Sequence, residues 1–101
     1  MELKELEERM NRFVASKGWY DADSKKKQTP KNLAISLVLE AGEVLEHFQW
    51  VEEVRDKQEL AGELADTALY LLQIASVTGI DLEQAILDKL DMNKDREWPD
   101  P

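Results

Sequence analysis

The chain has 101 residues and a formal net charge of −9, from 13 basic and 22 acidic side chains, and it contains no cysteine. This length predicts a single domain over residues 1–101, and the acidic balance disfavours a nucleic acid polymer as partner, because such binding usually needs a basic patch. The lack of cysteine excludes disulfides and thiolate metal sites. No apolar run approaches the ~20 residues that cross a bilayer, so we expect a cytoplasmic protein without a membrane partner.

The first half of the chain is predicted to form two helices. Apolar residues at helical spacing indicate a first helix over roughly residues 2–17, which ends at Gly18. A polar loop without periodicity follows. Thr29 and Pro30 then have the character of a helix cap and a first helical residue, and they start a second helix that is predicted to run to about Glu53.

The second half of the chain is predicted to form two more helices. Asp56 caps the third helix, which continues to about Thr78 and stops at Gly79. Asp81 caps the fourth helix, which fades near Asn93. The predicted fold class is therefore all-α, with four helices and no strand.

The two long helices are apolar around most of their circumference. On the second helix, Leu33, Leu37 and Val44 share one face, while Val38 and Leu45 extend the apolar surface around the remainder. A helix of this kind must be buried on several sides, which four helices of one short chain cannot easily achieve. We therefore expect an oligomeric helical bundle, formed by a homodimer or a dimer of dimers.

Two acidic pairs interrupt these apolar patterns: Glu40 with Glu43 on the second helix, and Glu63 with Asp66 on the third. Residues three apart lie on one helix face, and a short connection predicts antiparallel packing, so the pairs can face one another. Four carboxylates in one small volume would repel unless cations lay between them. The pattern thus predicts a site for a hard divalent ion, most simply Mg²⁺.

The polar residues allow two other interpretations. The acidic pairs could be solvated acids beside a core stripe, as we expect for Glu52 and Glu53, and the run at 25–27, three lysines, is interpreted as a solvated loop. His47 is the single histidine, and a ferritin-like di-iron centre needs Glu-x-x-His on two helices, so we expect His47 to be a hydrogen-bonding neighbour of the acids.

Three segments resemble the MazG family of all-α nucleoside triphosphate pyrophosphohydrolases: LVLEAGEVLEHFQW at 37–50, ELADTALYLLQIA at 63–75 and KLDMNKDREWP at 89–99. The resemblance extends over most of the chain, from Pro30 to Pro99, and its core is E-x-x-E, nineteen residues, then E-x-x-D. Leu39 stands where many members have a further acid. In this respect the chain is more similar to the branch typified by deoxycytidine triphosphate pyrophosphatases.

The resemblance implies an enzyme that uses Mg²⁺ to hydrolyse (deoxy)nucleoside triphosphates to the monophosphate and pyrophosphate, as in housecleaning of the nucleotide pool. Glu40, Glu43, Glu63 and Asp66 would be its catalytic and metal-binding residues, with Glu40 or Glu43 orienting the attacking water. The residues implied to bind substrate are Lys89, Asn93 and one of Lys94 or Arg96 for phosphates or sugar, Tyr70 for the ribose, and Trp50 with Trp19 for the base.

Two alternative functions remain open at this point. The chain could be a non-catalytic helical dimerisation module whose acids hold a structural metal. It could also catalyse another reaction on the same scaffold, such as hydrolysis of a phosphoribosyl compound or of deoxyuridine triphosphate. The burial of acids among apolar residues favours an enzyme, because a passive module has no need to bear that cost.

Overall fold

A computed structural model describes residues 2–99 as four α-helices without a strand, which confirms the predicted all-α class. The helices are α1 (Leu3–Ser16), α2 (Pro30–Glu46), α3 (Lys57–Thr78) and α4 (Leu82–Asp95). Within the described stretch, none of the helices combines the length and the apolar character that a membrane span requires.

Helix boundaries follow the predicted caps. The Thr29 side chain accepts a hydrogen bond from the backbone N–H of Asn32, and Pro30 occupies the first turn of α2. Asp81 does the same for α4 through the N–H of Gln84. Gly79 ends α3 with a φ of 73°, a left-handed conformation that suits glycine because it has no Cβ.

The predicted end of α2 at Glu53 is wrong. The helix ends at Glu46, and the following residues form a tightened turn in which the N–H of Phe48 bonds the carbonyl of Leu45. Helix formation in a protein depends on packing of an apolar face, and no side chain between 47 and 56 is fully buried. The segment therefore gains little from continuing the helix and forms the connection to α3 instead.

The core lies where α1 and α2 pack against α3. Met10 and Val14 of α1 form one cluster with Leu72 of α3, and each is at most 6% exposed. Leu33 of α2 is the most completely buried side chain of the described residues, at 2%. These contacts fix the relative positions of the helices on which the acidic pairs lie.

Helices α2 and α3 are antiparallel, as predicted. Gln28, just before α2, bonds Gln73 near the end of α3, whereas Glu43 near the end of α2 approaches Glu63 in the first half of α3. The start of α2 therefore lies beside the end of α3, and the end of α2 lies beside the first half of α3. This register brings the two acidic pairs to the same height.

Much apolar surface stays exposed in the single chain. Val38 and Leu45 of α2 are 70% and 71% exposed. In α4 only Leu82, at its start, packs against the core, and no residue of this helix is buried. The exposure matches the reasoning behind the predicted oligomer, which itself stays a prediction.

Candidate metal and nucleotide site

Three of the four predicted acids meet between α2 and α3. Glu40, Glu43 and Glu63 each offer a carboxylate oxygen, and these oxygens lie within 4.8 Å of one another. The spacing of Glu40 and Glu43 places both on one face of α2, and the antiparallel register brings Glu63 of α3 opposite them. The arrangement is dense in negative charge.

Glu40 is in an environment that disfavours its charged form. Burial raises its pKa, and the nearby negative charges of Glu43 and Asp66 raise it further. One of its oxygens, Oε2, is buried without a hydrogen-bond partner among the described residues. An ionised carboxylate oxygen in this position lacks a positive neighbour or a donor, which buried polar groups normally have.

The neighbours of Glu63 shift its pKa in opposite directions. A hydrogen bond with Glu43 is the main cause that raises its pKa, with burial next and the charge of Glu43 after it. His47 acts in the opposite direction, since its Nε2 atom lies 3.7 Å from Glu63 Oε1. His47 is therefore a polar neighbour of the cluster, although 3.7 Å is longer than the hydrogen bond expected for it.

These observations fit a divalent cation. The donor set consists of carboxylate oxygens, which hard ions such as Mg²⁺ prefer. The unpartnered Oε2 of Glu40 and the raised pKa values of Glu40 and Glu63 both show a site that lacks positive charge. A cation among the three acids would satisfy the orphaned oxygen and remove their mutual repulsion.

Asp66 lies outside this three-residue group but connects it to a large cavity. Its carboxylate influences Glu40 electrostatically, and it lines a cavity of about 930 Å³ between α1, the following loop, α2 and α3. Tyr70 and Trp19, both predicted to bind substrate, line the same cavity and are half-buried. The cavity is thus a concave, mainly apolar chamber with Asp66 in its wall.

Trp50 lies beside the cluster in a separate cleft. It lines a smaller cleft of about 390 Å³ together with Glu43 and Glu63, and it is 86% exposed. It therefore does not share the large cavity with Trp19. Such exposure of an indole ring in the single chain leaves room for a ligand or a second copy to cover it.

The predicted substrate-binding residues of α4 and the tail are not brought to either cavity in the single chain. Lys89, Lys94 and Arg96 are exposed and line neither cavity. The guanidinium of Arg96 instead stacks on Trp98, 4.4 Å from its ring centroid, and the indole N–H of Trp98 donates to the carbonyl of Asn93. Their role in substrate binding stays a prediction.

Sequence reasoning missed the loop residues that line the large cavity. Lys26, in the run interpreted as a solvated loop, lies over the ring of Trp19 at 5.3 Å, and both of its lysine neighbours also line the cavity. The loop is held in place because the Asn32 amide donates to the Lys27 carbonyl and Gln28 bonds Gln73. The run of three lysines in a strongly acidic chain is the sequence feature that could have indicated these cavity residues.

With this geometry in hand, comparison with known proteins decides the family. A family model described as the MazG-like family matches residues 35–100, about two thirds of the chain. The chain belongs to the MazG-like family. The match includes both acidic pairs, so the resemblance that was based on these residues is confirmed.

Curated relatives of this MazG-like chain include nucleotide hydrolases. Human (Homo sapiens) dCTP pyrophosphatase 1 is 33% identical over 96 residues, covering 86% of the chain and 53% of the relative. Its counterpart from Mus musculus is 32% identical over 93 residues, covering 83% and 52%. The MazG-like chain thus spans about half the length of these curated relatives. A dATP/dGTP diphosphohydrolase of Salmonella phage PMBT28 is 47% identical over 38 residues, covering 38% of the chain and 13% of the relative.

A solved structure supports the fold over nearly the whole MazG-like chain. The crystal structure of a pyrophosphatase from Archaeoglobus fulgidus DSM 4304 matches with a TM-score of 0.80 and 35% sequence identity. The match covers 97% of this chain and 93% of that one. The four-helix arrangement that positions the acids is therefore found in a protein named as a pyrophosphatase.

Proposed function

We propose that this MazG-like chain hydrolyses (deoxy)nucleoside triphosphates to the nucleoside monophosphate and pyrophosphate, as a housecleaning enzyme of the cytoplasmic nucleotide pool. The observation that carries the proposal is the convergence of Glu40, Glu43 and Glu63 next to a cavity large enough for a nucleoside. Relatives named dCTP pyrophosphatase and pyrophosphatase support the same class of reaction.

The acidic group would hold Mg²⁺ through Glu40, Glu43 and Glu63, with Asp66 at the edge facing the cavity. When bound, Mg²⁺ supplies positive charge that polarises the phosphate oxygens and stabilises the leaving pyrophosphate. The chain itself has a formal charge of −9, so a triphosphate would otherwise be repelled from these acids.

The reaction breaks the bond between the α-phosphorus and the oxygen that bridges to the β-phosphorus. A water oxygen forms the new bond to the α-phosphorus, and the pyrophosphate leaves from the opposite side. The water must lose a proton, and a nearby carboxylate can accept it. Glu40 or Glu43, which lie on one face of α2, would orient the water and accept this proton.

The nucleoside would occupy the large cavity, with its phosphates directed past Asp66 towards the acids. Tyr70 lines the cavity one turn along α3 from Asp66, a position suited to contact with the sugar. Trp19 would contact the base. The rings of Phe13 and Trp19 pack in a T-shaped arrangement with a centroid separation of 5.8 Å, which holds the indole in place.

We further propose that the working form is a homo-oligomer. The exposed apolar residues of α2, together with α4, which buries none of its residues, would be covered by a second copy. In that assembly Trp50 and the basic residues Lys89 and Lys94 would contact a substrate held by the acids.

The test is a panel of nucleoside and deoxynucleoside triphosphates incubated with the purified chain, with Mg²⁺ or with EDTA. We expect release of pyrophosphate, not of phosphate, and only with the metal. Release of phosphate alone would show that a different bond is cut. No release from any member of the panel would contradict the proposal and favour a non-catalytic dimerisation module.

A further inference from the structure

Gln73 is the one polar side chain that is buried within residues 2–99, and it is 4% exposed. It lies in the wall of the large cavity, where Met10, Val14, Leu33 and Leu69 are its apolar companions. A carboxamide in such a wall costs free energy unless its polar atoms are hydrogen-bonded. The N–H groups and the carbonyl oxygen of Gln73 therefore each need a hydrogen-bond partner.

One partner is Gln28, which also fixes the orientation of the Gln73 amide. Gln28 uses its own Nε2 to donate to the carbonyl of Lys26 at 2.7 Å, so its Oε1 is the atom that faces α3. Gln73 donates from Nε2 to this Oε1 at 2.6 Å. Because nitrogen and oxygen occupy opposite arms of a carboxamide, the Gln73 carbonyl oxygen is directed away from Gln28.

Tyr20 is a second neighbour of the Gln73 amide. Burial raises the pKa of the Tyr20 hydroxyl, and the side chain of Gln73 opposes this rise. The hydroxyl itself donates to Oδ1 of Asn11. Nε2 of Gln73 is thus engaged with Gln28, and the carbonyl oxygen, on the opposite arm of the amide, is the part that remains for a ligand.

We propose that Gln73 determines base specificity by accepting, through its carbonyl oxygen, a hydrogen bond from an exocyclic amino group of the nucleotide. The inference rests on the proposed function, since it assigns the base to the large cavity. Cytosine carries an amino donor where uracil carries a carbonyl acceptor. A carbonyl facing Gln73 would leave two buried acceptors without a donor, which costs far more than a changed apolar contact.

The test compares dCTP with dUTP, which share sugar, phosphates and ring size and differ at this substituent. For the full chain with Mg²⁺, we expect kcat/KM for pyrophosphate release to favour dCTP by about tenfold or more. Gln73→Leu should bring the ratio close to one. The matched control is Gln84→Leu, which removes an exposed glutamine bonded to Asp88 on α4 and should leave the ratio unchanged.

Gln28→Leu is the second variant, and it keeps the test open if Gln73→Leu fails to fold. It frees the Gln73 amide to rotate, so the dCTP/dUTP ratio should fall although Gln73 is present. If the Gln28–Gln73 pair only tethers the loop to α3, each variant should lower kcat/KM for dCTP and for dUTP by the same factor. An unchanged ratio in either folded variant overturns the inference.

Binding of the monophosphates separates this inference from the proposed function, because it needs no turnover. Quenching of tryptophan fluorescence by dCMP and dUMP should show tighter binding of dCMP to the wild-type chain and equal binding to Gln73→Leu. This result without pyrophosphate release would remove the proposed function and keep the role of Gln73. Equal binding of dCMP and dUMP to the wild-type chain would remove the role of Gln73, whether or not pyrophosphate is released.

Discussion

His47, directly after α2, places its Nε2 atom 3.7 Å from Oε1 of Glu63 on α3. The hydrogen bond with Glu43 and burial raise the pKa of Glu63, whereas His47 lowers it, and the net result is a raised pKa. The histidine therefore compensates only part of the negative charge in the cluster. The remaining negative charge calls for a cation from solution.

Glu63→Gln should abolish pyrophosphate release while the helical circular dichroism signal persists. The amide keeps the shape of the side chain but removes one of three converging carboxylates. The matched control is Glu53→Gln, an exposed acid in the α2–α3 connection that lines neither cavity. Turnover by Glu63→Gln close to that of the wild type would remove this residue from the metal site.

The metal-free chain should lose stability as the pH rises, owing to Glu40 and Glu63. Both pKa values are raised in the folded state, so these groups favour folding most below the ordinary glutamate pKa. That contribution is lost as the pH rises through the raised values. In EDTA at neutral pH, Glu40→Gln should therefore melt at a higher temperature than the wild type.

Added Mg²⁺ should reverse this order, because it stabilises only a chain that can bind it. The wild-type Tm should rise with Mg²⁺ at neutral pH, and the rise should shrink under acidic conditions where the carboxylates are protonated. Glu40→Gln should show little rise at any pH. An equal Mg²⁺-induced shift in the two proteins would argue that Glu40 takes no part in cation binding.

Leu72→Ala should lower the free energy of unfolding by about 2–5 kcal/mol, because it opens a cavity in the cluster with Met10 and Val14. Urea denaturation measures this change. The comparison variant is Leu64→Ala, also on α3, where the side chain is 52% exposed in the single chain. A loss at Leu64 as large as that at Leu72 would indicate that a second copy buries Leu64.

Leu45→Lys should convert the oligomer to a monomer in sedimentation velocity. Leu45 is 71% exposed on α2, and a lysine there would bring an unpaired charge into an apolar interface. Gln49→Lys adds the same charge at an exposed position after the helix and should leave the sedimentation coefficient unchanged. A wild-type chain that sediments as a monomer would contradict the proposed assembly.

Local signals predicted most of the fold. Thr29, Asp56 and Asp81 each cap the helix that follows, and Gly79 ends α3, since these residues act within one helical turn. The end of α2 depended on burial across the fold, which apolar spacing does not reveal. Trp50, which the predicted helix to Glu53 would include, instead lies after the end of α2 at Glu46.

The candidate site was predictable where helix geometry determines it. Glu40, Glu43 and Glu63 meet because spacing of three residues and antiparallel packing leave few other arrangements. Lys26 was not predicted, because its place in the cavity wall depends on the path of an irregular loop. Loops of this kind have no periodic pattern from which the direction of a side chain can be read.

Crystals grown with saturating Mn²⁺ give the most direct test of the metal site on which the account depends. Mn²⁺ is a divalent ion that also accepts oxygen ligands, and its anomalous scattering reports its position. We predict an anomalous peak within coordination distance of the carboxylate oxygens of Glu40, Glu43 and Glu63. A map without a peak among these three residues, from crystals that turn over substrate in the same Mn²⁺ solution, would contradict the account.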